Sequence, residues 1–204
     1  MIPVFINNRD NLERGFRRLV AWLLSVNASV VVIDNGSTYP PLLQYYEESK
    51  LQIIHSGSNL GPYAFWHLGL HLEGRFIVTD PDVVPSDECP ADLIERMSAM
   101  MDKGYKKVGP SLRLNNLPGC YENTEKVRAW ESQFWQHPVD GGFQGLIDTT
   151  FAMYEGGSVA WPDQPYLRLA HPYSFEHIPW YEGPEPNAER DYYHAHAKKE
   201  WINW

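Results

Sequence analysis

Arg75-Phe76-Ile77-Val78-Thr79-Asp80-Pro81-Asp82-Val83-Val84-Pro85 is the stretch on which the reading of this chain turns. An apolar run of strand character ends in two carboxylates one residue apart, and a proline-bounded turn follows. On an extended segment, side chains at i and i+2 point to the same face, and like charges held that close repel. A divalent cation beside the pair relieves the repulsion. Carboxylate oxygens are hard ligands suited to Mg2+ or Mn2+, ions commonly shared with phosphate oxygens. A solvated loop after a buried strand would carry the same letters, so the rest of the chain has to decide.

Working outward, the first hundred residues alternate strand and helix signals. Residues 2–6 read as a short buried strand. Behind Asp10 as N-cap, Leu12, Phe16, Leu19, Val20, Leu23 and Leu24 recur at helical spacing. Val30-Val31-Val32-Ile33 is a β-branched run without alternation, as in a strand covered on both faces, and it ends in the turn Asp34-Asn35-Gly36-Ser37. A helix over 40–48, a strand over 51–54, a helix over 62–72, the strand 75–79, a helix over 92–101 and a strand from Lys107 continue the rhythm. Repeated βα units imply an α/β domain with a mainly parallel sheet and helices on both faces. Ligands of such sheets gather at the carboxyl ends of the strands. The polar tips Asn7-Asn8-Arg9, Asp34-Asn35-Gly36-Ser37, residues 56–61 and Asp80-Pro81-Asp82 would therefore share one edge.

After residue 114 the rhythm breaks. A helix over 124–135, a strand over 147–154 entered through Gly141-Gly142-Phe143, strand fragments over 166–169 and 174–178, and a closing helix over 189–199 are expected. Pro162, Pro165, Pro172, Pro179, Pro184 and Pro186 make this region rich in loops. The 204 residues suit a single domain, 1–204, with a ligand-binding half over 1–114 and lids or specificity loops over 115–204.

The net charge of −9 argues against a nucleic-acid partner, which needs a basic footprint. It leaves room for one anionic small ligand, because a bound metal reverses the local field. Cys89 and Cys120, the two cysteines, offer neither a disulfide framework nor zinc spacing and read as reduced thiols. No signal peptide and no apolar run of membrane-spanning length is visible, so Asn27-Ala28-Ser29 and Asn35-Gly36-Ser37 are read as chance sequons and the expected location is cytoplasmic.

Taken in order, Ile2-Pro3-Val4-Phe5-Ile6-Asn7-Asn8-Arg9, Val32-Ile33-Asp34-Asn35-Gly36-Ser37, Asn59-Leu60-Gly61-Pro62 and Thr79-Asp80-Pro81-Asp82 resemble the nucleotide-sugar-dependent glycosyltransferases of GT-A fold, most closely the family 2-like members. The likeness covers most of the first 115 residues. It implies a Rossmann-like three-layer α/β/α sandwich with a mostly parallel central sheet and a loop-rich C-terminal acceptor region. By the same resemblance Asn7 and Arg9 line the nucleotide pocket, Asp34 bonds the base or ribose, and Asn59 and Gly61 let the backbone approach the nucleotide. Asp80 faces the ribose or the metal, and Asp82 binds Mn2+ or Mg2+. His177, at a strand end in Ser174-Phe175-Glu176-His177-Ile178-Pro179-Trp180, is the expected third metal ligand, with His196 as its rival.

An inverting transferase needs a carboxylate to deprotonate the acceptor hydroxyl. The family's acidic pair at the start of an acceptor-side helix is missing; Asp148 is the first candidate for the role and Glu176 the second. Trp161, Trp180 and Tyr181 offer either stacking surfaces or core packing. The expected activity is metal-dependent transfer of a sugar from a nucleoside-diphosphate sugar, UDP-sugar favoured, to a hydroxyl of a glycan or other acceptor. Two alternatives stand beside it: a noncatalytic module of the same fold that binds nucleotide-sugar or glycan, and a sugar nucleotidyltransferase. Against the latter, the first strand feeds Asn7-Asn8-Arg9-Asp10 rather than a glycine-rich phosphate loop.

Overall fold

The computed structural model describes residues 1–70, 72–119 and 121–197. The first half contains β1 (Pro3–Asn8), α1 (Phe16–Ser25), β2 (Ser29–Asp34), α2 (Pro40–Glu48), β3 (Gln52–His55), α3 (Ala64–His67), β4 (Phe76–Thr79), β5 (Val83–Pro85), α4 (Leu93–Asp102) and β6 (Lys107–Leu112). Then come α5 (Thr124–Ser132) with a 3-10 turn over Gln133–Trp135, β7 (Pro138–Val139), β8 (Gly142–Gln144), β9 (Ala152–Tyr154) and β10 (Tyr166–His177). A 3-10 turn over Ile178–Tyr181 and α6 (Ala188–His196) complete the order.

All the strands join one mixed sheet in the order β3-β2-β1-β4-β9-β6-β10-β8-β7, with β5 paired to β10 off that path. β1, β2, β3 and β4 are parallel neighbours. β9 lies antiparallel between β4 and β6, so β6 and its parallel neighbour β10 run the same way as the first four. The carboxyl ends of β1, β2, β4, β6 and β10 therefore meet at one edge, as the βα rhythm requires. β5, β8 and β9 run against them.

Alternation along the strands divides the core in two. Val4, Ile6, Val32 and Ile77 face α1, α2 and α4, whose Leu19, Leu23, Leu42 and Met97 are fully buried. Phe5, Val31, Ile33, Phe76 and Val78 face the other way, toward α3. That second layer is thin: α3 spans only Ala64–His67, where periodicity predicted a helix over 62–72. Rings make up the volume, with Phe65 stacked on Phe76 at 4.7 Å and Phe76 on Tyr154 at 5.4 Å.

Other expectations shift. Asp10 does not cap α1. It takes φ 50, and its Oδ1 accepts the Thr38 and Tyr39 amides, while Asn11 Oδ1 accepts the amide of Phe16. The strand expected over 147–154 shrinks to β9, and the two fragments near 166 and 174 join as β10 with a register shift between Leu169 and Ser174. β5 and the β7–β8 hairpin were not foreseen. Cys89 is a free thiol; Cys120, Lys198 and Lys199 lie outside the described residues. No helix among the described residues is long and apolar enough to cross a membrane.

Candidate functional site

A cavity of about 400 Å3 opens at the shared carboxyl edge. One end is built by the tips of β1 and β2. Asn7 Nδ2 donates to the Gly61 and Pro62 carbonyls at 3.2 and 3.3 Å. Asn35 donates to the Gly61 carbonyl at 2.9 Å and accepts the Leu60 amide at 2.7 Å. Asn59 accepts the Gly61 amide at 2.9 Å, tightening the turn that closes this end. Asn7 lines the cavity, and its Oδ1 is buried with no partner among the described residues. Arg9 also lines the cavity but spends its guanidinium on the carbonyls of Asn35, Gly36 and His196.

The middle of the cavity is acidic. Asp80, at the end of β4, accepts the Thr149 hydroxyl at 2.6 Å. Burial, then the charges of Asp82 and Asp148, push the Asp80 carboxyl well above the usual carboxylate range; the Thr149 bond and Lys107 pull the other way. Asp82 leads into β5, whose pairing with β10 sets His177 opposite Val83. The Ile178 amide extends that pairing to the Asp82 carbonyl at 2.8 Å. His177 Nε2 consequently stands 3.9 Å from Asp82 Oδ1, its ring against Trp180 and its Nδ1 buried without a partner among the described residues. Burial holds His177 below the ordinary imidazole value, with Asp82 acting in the opposite sense. Asp148 is exposed on the facing wall, its carboxylate turned back onto the Thr149 amide at 2.9 Å.

Two close approaches shape this centre. A Cβ at Gly15 would stand 2.7 Å from Asp82 Cα, so only glycine lets the loop before α1 press against the Asp82 backbone. A Cβ at Gly109 would stand 2.5 Å from the Phe151 carbonyl, so glycine on β6 admits the segment carrying Asp148 and Thr149. The Gly15 loop is fastened from the far end of the chain. Glu189, on α6, accepts the backbone amides of Leu12, Glu13 and Arg14 at 3.0, 2.9 and 3.1 Å. Arg14 then reaches the cavity wall, doubly bonded to Glu182 at 2.7 and 2.9 Å.

Four residues singled out in the sequence are not brought to the site: Asp34, Glu176, His196 and Tyr181. Asp34 is off the cavity wall: Oδ1 accepts the Ser37 amide and Oδ2 meets His55 Nδ1, so the turn consumes it while its neighbour Asn35 faces the cavity. Glu176 bonds Asn116 on the opposite side of β10 from His177, a consequence of the two-residue period of a strand. His196 packs its ring on Tyr192 and does not line the cavity. Trp161 and Trp180 do line it; Tyr181 bonds Asn116 instead.

Sequence reasoning missed three buried charges, a lysine off the cavity wall and a pair at the far end of the cavity. Arg168 and Glu131 pair there, and Lys107 is 1% exposed. The Lys107 ammonium bonds the Ala160 carbonyl at 3.3 Å and lies 4.5 to 5.8 Å from the ring centres of Trp161, Tyr154 and Tyr166. The signal was present: a single charge interrupts an apolar strand at Lys107-Val108 and again at Leu167-Arg168-Leu169.

Among the described residues no Lys or Arg nitrogen comes within 4.0 Å of Asp80, Asp82 or Asp148, and no group of three or more His, Cys, Asp and Glu side chains is placed to hold a metal by itself. A cation here would have one or two carboxylates from the protein and take its remaining ligands from a bound anion and water, the ordinary condition of Mg2+ beside phosphates. Compared with known proteins, the chain matches no protein-family model and no curated protein sequence.

Proposed function

We propose that the chain is a metal-dependent glycosyltransferase of GT-A fold that takes a nucleoside-diphosphate sugar, most suitably a UDP-sugar, and passes the sugar to a hydroxyl of a glycan or other acceptor. One observation carries this reading: Asp80, Asp82 and Asp148 share a cavity at the carboxyl edge, and among the described residues no Lys or Arg nitrogen pairs with any of them within 4.0 Å, Arg14 and Lys107 acting only from farther off. A buried carboxylate such as Asp80, in the field of two more, is costly to ionise unless a cation arrives with the ligand. A metal-bound diphosphate brings one.

The roles follow from position. Asn7, with the Asn59–Gly61 turn beside it on the cavity wall, is placed to receive the nucleoside. Asp80 and Asp82 would hold Mn2+ or Mg2+, and His177 stands next to Asp82. The metal, when bound, stabilises the charge that develops on the leaving diphosphate. Asp148, exposed within the cavity, is the carboxylate at hand to take the acceptor's hydroxyl proton. Glu176 is too far round β10 for that role.

A thermal-shift panel of nucleotides and nucleotide sugars, with and without Mn2+, tests the reading, because a ligand of the native state raises its melting temperature. The expected result is a metal-requiring rise with UDP or a UDP-sugar, lost in Asp82→Ala while the unliganded melting temperature stays put. Folded protein that responds to no nucleotide would overturn it. Binding without metal-dependent UDP release in the presence of acceptors would leave a noncatalytic module.

A further inference from the structure

At the end of the cavity away from Asn7, Arg168 of β10 and Glu131 of α5 form an ion pair, Nη1 to Oε2 2.6 Å, with each side chain 5% exposed. The guanidinium is fixed on two more sides: Nε donates to the Leu146 carbonyl at 2.7 Å, and the head stands 4.1 Å over the Phe134 ring. Arg168 Nη2 and Glu131 Oε1 have no hydrogen-bond partner among the described residues, and both residues line the cavity. A buried ion pair is a poor choice for stability alone, since apolar side chains of similar volume do as well. What this pair presents to the cavity is a donor beside an acceptor with no net charge. Trp130, the residue before Glu131, is 53% exposed and lines the same end.

We propose that this end is a subsite for an uncharged sugar ring, with two adjacent hydroxyls held by Arg168 Nη2 and Glu131 Oε1 and a C–H face of the ring covered by Trp130. A hydroxyl both donates and accepts, so a vicinal pair satisfies the two free groups at once. A carboxylate or phosphate would gain the arginine but meet Glu131 and Asp148. An alkyl chain would strip water from Nη2 and Oε1 and return nothing. The C–H groups of a sugar face are apolar with a slight positive charge and suit the negative face of an indole. The inference rests on the transferase reading only in naming this sugar the acceptor; the binding itself needs neither donor nor metal.

The test is a calorimetric or NMR titration of the full chain, without nucleotide or metal. The probes are methyl glycosides of glucose, galactose, mannose and N-acetylglucosamine, their disaccharides, and methyl glucuronide as the charged control. At least one neutral glycoside should bind. Its analogue lacking one of the adjacent hydroxyls should bind at least about tenfold more weakly. Trp130→Ala, in protein shown to remain folded, should weaken binding about tenfold, and Trp130→Phe, which keeps an aromatic face, should restore part of it. Tighter binding of the glucuronide, affinity indifferent to Trp130→Ala, or no binding by any glycoside would overturn the proposal. Glycoside binding with no nucleotide response would sink the transferase and spare the subsite. The converse result would spare the transferase and sink the subsite.

Discussion

At the Asn7 end of the cavity, neutral amides and backbone groups hold the walls: Asn7 and Asn35 meet at the Gly61 carbonyl, and Asn35 takes the Leu60 amide. At the opposite end a charge pair does the holding, Arg168 against Glu131; Lys107, off the cavity wall at the start of β6, sits inside a cage of rings within reach of the Asp80 and Asp148 fields. Neutral hydrogen bonds exchange for bonds to water at small net cost, whereas an ion stripped of both water and partner is costly. The first wall should therefore tolerate damage that the second does not.

The sharpest break comes from Arg168→Met. It leaves the Glu131 carboxylate buried without its partner and should cost about 3–5 kcal/mol in denaturant unfolding. Adding Glu131→Leu should recover most of that loss, because two apolar side chains fill the same space without a stranded charge. A single variant that loses less than about 1 kcal/mol would erase the contrast between the walls.

A second test works through pH. Burial, chiefly, lowers the Lys107 ammonium from its usual value to about 7, while in the unfolded chain the amine keeps its proton to about pH 10.4. Between those values the unfolded chain binds a proton that the folded one has released, so this group adds stability as pH rises through the window. Below pH 7 both states are protonated and the cost of burying the charge is complete. Relative to Lys107→Met, the natural chain should gain at least about 1 kcal/mol between pH 7 and 10, with other titrations cancelling in the difference. A flat difference would place the Lys107 ammonium at its ordinary value.

This contrast between walls also decides what could be read from the chain. The Asn7 end is written in local signals: β-branched runs that end in Asn, Asp and Gly turns name both the strand and its tip, and the edge they share follows from parallel βα order. Even there, which of Asp34 and Asn35 turns toward the cavity depends on the turn hydrogen bonds to Ser37 and His55. The charged end depends on partners 37 residues apart, Glu131 and Arg168, and on β9 returning between β4 and β6. No periodicity encodes either. His177 was legible as a strand-end histidine, but its place beside Asp82 comes from the β5–β10 pairing, which three residues, Val83–Pro85, are too short to announce. Glu176 lies off the cavity for the same reason that His177 reaches it: adjacent residues of one strand face opposite ways.

Asn35→Ala probes the tolerant wall and should have the smallest effect. The change removes the bond to the Gly61 carbonyl and leaves the Leu60 amide without its acceptor. Asn7 Nδ2 still reaches the Gly61 carbonyl at 3.2 Å, and the open cavity admits water to the Leu60 amide. The loss should stay near about 1 kcal/mol. Hydrogen exchange should locate it, with the Leu60 and Gly61 amides exchanging faster while those of β1 and β2 keep the protection of the intact protein. A loss as large as that of Arg168→Met, or faster exchange spread through β1, would show the amide network to be a support of the fold itself. Water would then be no substitute for it, and the distinction drawn between the two ends would fail at the neutral one.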